Sequence, residues 1–134
     1  MIKKVTHVGL AVKNLAEASR RFQQLFGKGA ARGESVASER VNVAIFDLGG
    51  TKVELTEATD PSSAVARFIE KRGEGVHHIS FEVDNLENEL ARLKDEGFEV
   101  LQGYPKTGAD GYRVAFLHPK TTHGVLVELS EKGY

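Results

Sequence analysis

The chain has no cysteine and no tryptophan among its 134 residues, and only three prolines and one methionine. Without cysteine, disulfide staples, cysteine zinc sites, iron–sulfur clusters and a thiol nucleophile are all excluded. Neither sign of charge dominates: 18 basic and 19 acidic side chains leave a formal charge of -1. No bulk field therefore attracts nucleic acid or an anionic membrane. No apolar run approaches the roughly 20 residues that span a bilayer. Behind Met1-Ile2-Lys3-Lys4, the residues His7, Lys13 and Asn14 interrupt any apolar signal segment. No P-loop or Rossmann glycine signature occurs. What is present, 40% hydrophobic and 28% charged residues, is the composition of a soluble globular domain. The expectation is one cytoplasmic domain with neither nucleic acid nor membrane as partner.

The chain repeats itself once. Thr6-His7-Val8-Gly9-Leu10-Ala11-Val12 lies over His77-His78-Ile79-Ser80-Phe81-Glu82-Val83 at an offset of 71. Asn14-Leu15 and Asn85-Leu86 follow at the same offset, as do Val43-Ala44-Ile45-Phe46 and Val114-Ala115-Phe116-Leu117. Three extra residues enter before Lys52-Val53-Glu54-Leu55 meets Leu126-Val127-Glu128-Leu129.

Each copy reads as strand, helix and three strands. Residues 5–12 alternate with period two, as a half-buried strand does. Asn14 is the expected cap of the next helix, with Glu17 as capping-box partner. Leu15, Ala18, Phe22, Leu25 and Phe26 form its apolar stripe and Gly27 its stop. A short strand over 32–36 precedes a hairpin of 41–48 and 51–57 around Gly49-Gly50. In the second copy Asp84 is the expected cap of a helix carrying Leu86, Leu90 and Leu93, with Glu87 at the capping-box position and Gly97 at its end. Its charges Glu87, Glu89, Arg92, Lys94, Asp95 and Glu96 read as a solvated face. Strands over 98–101, 112–117 and 125–130 complete that half, with Gly103, Gly108 and Gly111 in a loop between them. Between the copies a helix is predicted from Asp60-Pro61 through Lys71, broken by Gly73 and Gly75. The organisation is thus a single domain over 1–134, with modules of about 1–58 and 75–134 and a connector of about 60–72.

Strand parity singles out four residues. Val8, Leu10 and Val12 share one face, which puts His7 on the other. Ile79, Phe81 and Val83 oppose His78; Val53 and Leu55 oppose Glu54; Val127 and Leu129 oppose Glu128. The helices need the strongly apolar face, so His7, Glu54, His78 and Glu128 belong to the opposite one. Nitrogen and oxygen donors in this mixture suit one divalent ion such as Co, Ni, Mn or Zn. Four protein donors leave room for water or substrate, the mark of a catalytic site. His77 has the parity of Ile79 and is expected between helix and sheet. His118 and His123 fall in the turn before the last strand, where hydrogen-bonding roles are expected.

At these residues the chain resembles the vicinal oxygen chelate superfamily, and within it the methylmalonyl-CoA epimerase family. The likeness rests on THVGLAV, GEGVHHISFEV, DPSSAVARFIEKRGEG and FLHPKTTHGVLVEL, which together run over nearly the whole chain. It implies an α+β, glyoxalase-like fold: two tandem βαβββ modules forming an incomplete, mostly antiparallel barrel around a metal site. It also implies metal ligands where His7, Glu54, His78 and Glu128 stand, an acyl-CoA substrate, and a homodimer. The second ligand is often glutamine in the epimerases, whereas glyoxalase I uses glutamate, as at Glu54.

The activity implied is epimerisation of methylmalonyl-CoA through loss and return of its α-proton, which needs a base on one face and a donor on the other. The resemblance gives Glu128 one of these roles. Some epimerases carry a second glutamate on the third strand, but Val43 occupies that place here and moves no proton. Glu54, Glu39 or ordered water are the candidates left. Lys106, Arg113 and Lys120 could meet coenzyme A phosphates. Two alternatives use the same fold: a glyoxalase I-like lactoylglutathione lyase, and a non-enzymatic small-molecule binding module. The turn at His118-Pro119-Lys120 and the bridge sequence favour the epimerase.

Overall fold

The computed structural model describes residues 1–133. Its chain order is β1 (Ile2–Ala11), α1 (Leu15–Phe26), β2 (Arg32–Val36), β3 (Val41–Asp47), β4 (Lys52–Ala58), α2 (Ala64–Arg72), β5 (Gly75–Val83), α3 (Leu86–Asp95), β6 (Lys106–Thr107), β7 (Arg113–Leu117) and β8 (Val127–Glu131). Helix and strand segregate as in an α+β fold. The chain divides into two compact units whose boundaries differ from those of the sequence modules. One is Val8–His77; the other joins Met1–His7 to the chain from His78 onward. The division cuts through β1 and β5, so residues 2–7 pack with the second half of the sequence.

In the unit Val8–His77 the strands run in the order β2-β3-β4-β1, with β2, β3 and β4 antiparallel. Val12, Ala44, Phe46 and Leu55 form its core, and α1 covers them with Leu15, Ala18, Phe22 and Phe26. Asn14 caps that helix as expected: its side chain accepts the Glu17 N–H, and Gly27 ends the helix in the left-handed region at φ 74°. Leu25 leaves the stripe and is 71% exposed, because it sits in the last turn on the rim of the packed face.

The connecting helix begins later than its sequence predicts. The Asp60 carboxylate accepts the Ser62 N–H and hydroxyl at 2.8 and 2.6 Å, which holds residues 60–62 in a turn. These bonds, the hydroxyl first, also hold the Asp60 carboxyl below its ordinary range. Ser63 is the cap that starts α2, and Pro61 lies outside it.

In the other unit the order is β1-β5-β8-β7-β6. β5 and β8 are parallel, whereas β7 is antiparallel to both β8 and β6. The core here is Val83, Ala115, Leu117 and Leu129 under Leu86 and Leu90 of α3. Asn85, not Asp84, caps α3: its side chain accepts the Asn88 N–H at 3.0 Å from a backbone at φ -146°, ψ 105°. Asn14 has nearly the same backbone, φ -133°, ψ 107°, so the repeat offset carries the cap over, and Glu87 falls one place short of the capping-box position. Glu89 is buried, not solvated, with Arg92 Nε donating to its carboxylate at 2.8 Å. That guanidinium holds the Glu89 carboxyl below its ordinary range.

The strand expected over 98–101 reduces to one bridge, Val100 to Leu117. Leu101 N–H donates to the Phe116 carbonyl and His118 N–H to the Glu99 carbonyl, but Gly103 turns the chain away at φ 86° before a ladder can extend. The short β6 takes the edge beside β7 instead.

Candidate active site

Parity along β1 and β5 brings two histidines together. His7 Nε2 and His78 Nε2 face one another at 3.0 Å, with their rings nearly perpendicular at 86°. Phe116, on β7, sets its ring edge-to-face with His78 at 5.5 Å and fixes that imidazole's tilt. Tyr104 backs Phe116 in turn at 5.1 Å. Phe116 is also the cross-strand partner of Glu128 on β8. One donor atom each from His7, His78 and Glu128 lies within 4.8 Å of the others.

Glu128 is buried, with its Oε1 3.1 Å from His7 Nε2. That approach is an ion pair when His7 is protonated; with a neutral imidazole Oε1 is a buried oxygen without a hydrogen-bond partner. Burial alone pushes the Glu128 carboxyl up; the adjoining His7 and the charge of His78 outweigh it and leave the group below its ordinary value. The Ser80 hydroxyl, opposite Glu128 across the parallel pair β5 and β8, makes the smallest contribution to that lowering, and itself donates to the Ser130 hydroxyl at 3.2 Å.

The three donors pass a test for a divalent ion. A buried carboxylate oxygen left without a donor costs about 1–3 kcal/mol or more, and a cation beside it removes that cost. Two ligands at right angles around an ion, with bonds of about 2.1 Å, stand about 3 Å apart. The His7–His78 and His7–Glu128 separations, 3.0 and 3.1 Å, match this, and the third pair lies within 4.8 Å. The donor set is the borderline-hard mixture that first-row divalent ions accept.

Glu54 is buried on β4, 6% exposed, and belongs to the other unit. In that unit Glu54 and Ile45 are cross-strand partners, as are Val43 and both Thr56 and Glu34. The face bearing Glu54 therefore also bears Val43 and, one strand further out, Glu34. Glu39 lies in the turn between β2 and β3, off this face. Glu34 was not singled out by sequence, since only strand register reveals that it adjoins Val43.

The remaining residues fall as follows. His77 packs its ring against Phe68 of α2 at 5.0 Å, on the helix side as its parity requires. His118 Nδ1 accepts the Lys120 N–H, capping a 3-10 turn over Pro119–Thr121. Arg113 pairs with Glu87 at 2.6 Å and Lys120 with Glu99 at 3.1 Å. Lys106 sets its ammonium over the Tyr104 ring at 4.7 Å.

The model of the Glyoxalase/Bleomycin resistance protein/Dioxygenase superfamily matches residues 6–116, and the chain belongs to that superfamily. It is 38% identical to an ethylmalonyl-CoA/methylmalonyl-CoA epimerase of Cereibacter sphaeroides over 98% of this chain and 99% of that one. A variant of the methylmalonyl-CoA epimerase of Streptomyces coelicolor, in complex with 2-nitronate-propionyl-CoA, superposes with a TM-score of 0.93 at 33% identity, covering 98% and 96% of the two chains. A methylmalonyl-CoA epimerase in complex with methylmalonyl-CoA and ammonium gives the same score, identity and coverage.

Proposed function

We infer that this protein is an isomerase that interconverts the (R) and (S) forms of methylmalonyl-CoA. The observation that carries this reading is the convergence of His7, His78 and the unsatisfied Glu128 oxygen in a chain similar over nearly its full length to proteins named as methylmalonyl-CoA epimerases. One divalent ion, Co, Ni, Mn or Zn, is held by His7 Nε2, His78 Nε2 and Glu128, with Glu54 as fourth ligand. Support for Glu54 is its repeat equivalence to Glu128 and its burial.

Such an ion supplies Lewis acidity to the thioester and carboxylate oxygens that flank the α-carbon. The neutral imidazoles of His7 and His78 donate their ring lone pairs, and Phe116 keeps the His78 ring from turning away. Glu128 is ionised at neutral pH, and its part in moving the α-proton is assigned from the family resemblance. We assign Glu128 to one face of the α-carbon and Glu54 to the other, because Val43 offers no proton carrier. The substrate is a small acyl-CoA. The chain acts as one domain in a cytoplasmic homodimer, a reading that rests on the family resemblance; among the described residues no helix is long and apolar enough to cross a membrane.

The test is NMR of methylmalonyl-CoA in heavy water with protein as purified, stripped of metal, and restored with Co(II). Rapid metal-dependent exchange of the α-proton supports the epimerase. Background exchange with metal bound rejects it; turnover of the methylglyoxal–glutathione hemithioacetal would then support the lyase, and no turnover a binding module.

A further inference from the structure

Glu128 has two cross-strand neighbours, Ser80 on β5 and Phe116 on β7. The Ser80 hydroxyl donates to Ser130, which donates onward to the Phe81 carbonyl. Phe116 is thus the apolar member of the pair. Parity along β7 divides its side chains between two faces. Ala115 and Leu117 join the core under α3, and Arg113 pairs with Glu87 of that helix. Val114 and Phe116 therefore face the other way, with the ligands. Phe116 is 7% exposed, beside 9% for His7 and 6% for Glu128, so a group that reaches the carboxylate also meets the ring.

The Phe116 ring is held from two sides. The His78 imidazole stands 5.5 Å away at 88°, and the Tyr104 ring 5.1 Å away at 75°. Behind Tyr104 comes Lys106, whose ammonium lies over that ring and whose cross-strand partner is Val114. A ring fixed between two others cannot tilt aside for a larger group without giving up these contacts. The repeat supplies a counterpart: Ile45 stands at the offset of 71 from Phe116 and partners Glu54 as Phe116 partners Glu128. The neighbour is aliphatic in the first module and aromatic in the second.

The α-carbon of the substrate carries a proton, a carboxylate, a thioester and an alkyl group. The carboxylate and thioester bring polar oxygens, and the proton passes to a side-chain carboxylate. Only the alkyl group needs apolar surface. Loss of the proton flattens the α-carbon and holds the alkyl group in the plane of the two carbonyl groups, so one apolar wall serves both stereoisomers.

The geometry points to Phe116, buttressed by Tyr104, as the residue that sets the size of the α-alkyl group this enzyme accepts. It walls a pocket for a short alkyl chain on an acyl-CoA. This deepens the epimerase reading above and rests on it.

The test measures kcat/KM for methyl-, ethyl- and propylmalonyl-CoA with Co(II)-loaded parent, Phe116→Leu and Tyr104→Ala, with Co(II) affinity by calorimetry and Tm for each. In the parent kcat/KM should fall along the series as added methylenes meet the ring. Phe116→Leu should raise the propyl-to-methyl ratio about 10-fold or more, the range expected for one methylene in an apolar pocket. Tyr104→Ala, which frees the ring to tilt, should raise it less. A merely structural role would lower all three substrates together and leave the ratio alone. An unchanged ratio in Phe116→Leu overturns the inference, whether or not Co(II) affinity falls with it, and leaves the epimerase reading standing. So does a parent equally active on all three substrates. If Phe116→Leu does not fold, Tyr104→Ala decides: an unchanged ratio rejects the wall. A parent that binds Co(II) and is inactive on all three removes the epimerase reading and this inference together.

Discussion

His7 and His78 are 71 positions apart in sequence and 3.0 Å apart in space, ring nitrogen to ring nitrogen. Strand alternation aims each imidazole to the same face, and pairing of β1 with β5 brings the two together. His77 adjoins His78 in the chain and points the other way, into contact with Phe68.

The first expectation follows from that contrast. His78→Ala should lose bound metal and all metal-dependent proton exchange. His77→Ala should keep the metal and lose about 1 kcal/mol of stability with the ring contact to Phe68. Metal content by plasma mass spectrometry checks both; equal metal loss in the two variants would reject the parity assignment.

Acid should release the metal in a way that identifies the group responsible. Glu128 has a folded pKa below its ordinary value. Its contribution to folding is therefore complete above its unfolded value of about 4.5 and is lost only as pH falls through the lower folded one. Glu128 stays ionised at pH 5 and above, so weakening of Co(II) binding between pH 7 and pH 5 is expected from protons competing for the His7 and His78 lone pairs. Calorimetric titrations at pH 8, 7, 6 and 5 should show steady loss over that interval in the parent. Glu128→Gln should bind more weakly throughout, with the same pH dependence. A flatter profile in Glu128→Gln would contradict this account.

Glu54 has two proposed roles, and glutamine separates them, since a carboxamide oxygen can still ligate but carries no proton. Glu54→Gln should retain metal and lose about 100-fold or more in kcat, the contribution expected of a general acid or base. If kcat is unchanged, Glu54 is a ligand only. Glu34, across the strand pair from Val43, is then the carboxylate to replace, and Glu34→Gln should produce the loss.

Helix capping gives a stability test that is independent of function. Asn85→Ala removes the side chain that accepts the Asn88 N–H and should cost about 1 kcal/mol. Asp84→Ala leaves that cap in place and should cost less, as an exposed charge does. Denaturant melts of the two variants rank them; the reverse order would restore Asp84 as the cap.

Much of the fold was legible because the signals are local. Alternation in 5–12, the Asn14 cap, the Gly27 stop and the hairpin turn at Gly49-Gly50 depend on neighbours only a few residues away, and all appear in the structure. The misreadings are equally physical. Asp84 and Asn85 are both good caps, and only backbone geometry chooses between them. Glu89 has the composition of a solvated face and the burial of a core residue, because Arg92 neutralises it. The 98–101 segment has strand-like residues but pairs at a single bridge.

The internal repeat and strand parity, read from residue identities alone, were enough to put His7, Glu54, His78 and Glu128 on one kind of face. Side-chain direction has period two wherever a strand forms, so that much needs no knowledge of the rest of the chain. Tertiary structure decided which donors meet. It set His7 against His78, left Glu128 Oε1 buried without a hydrogen bond, and put Ser80 across from Glu128 and Glu34 beside Val43. Those relations depend on the register between strands distant in sequence, and register is fixed by the packing of whole faces, which no local pattern specifies.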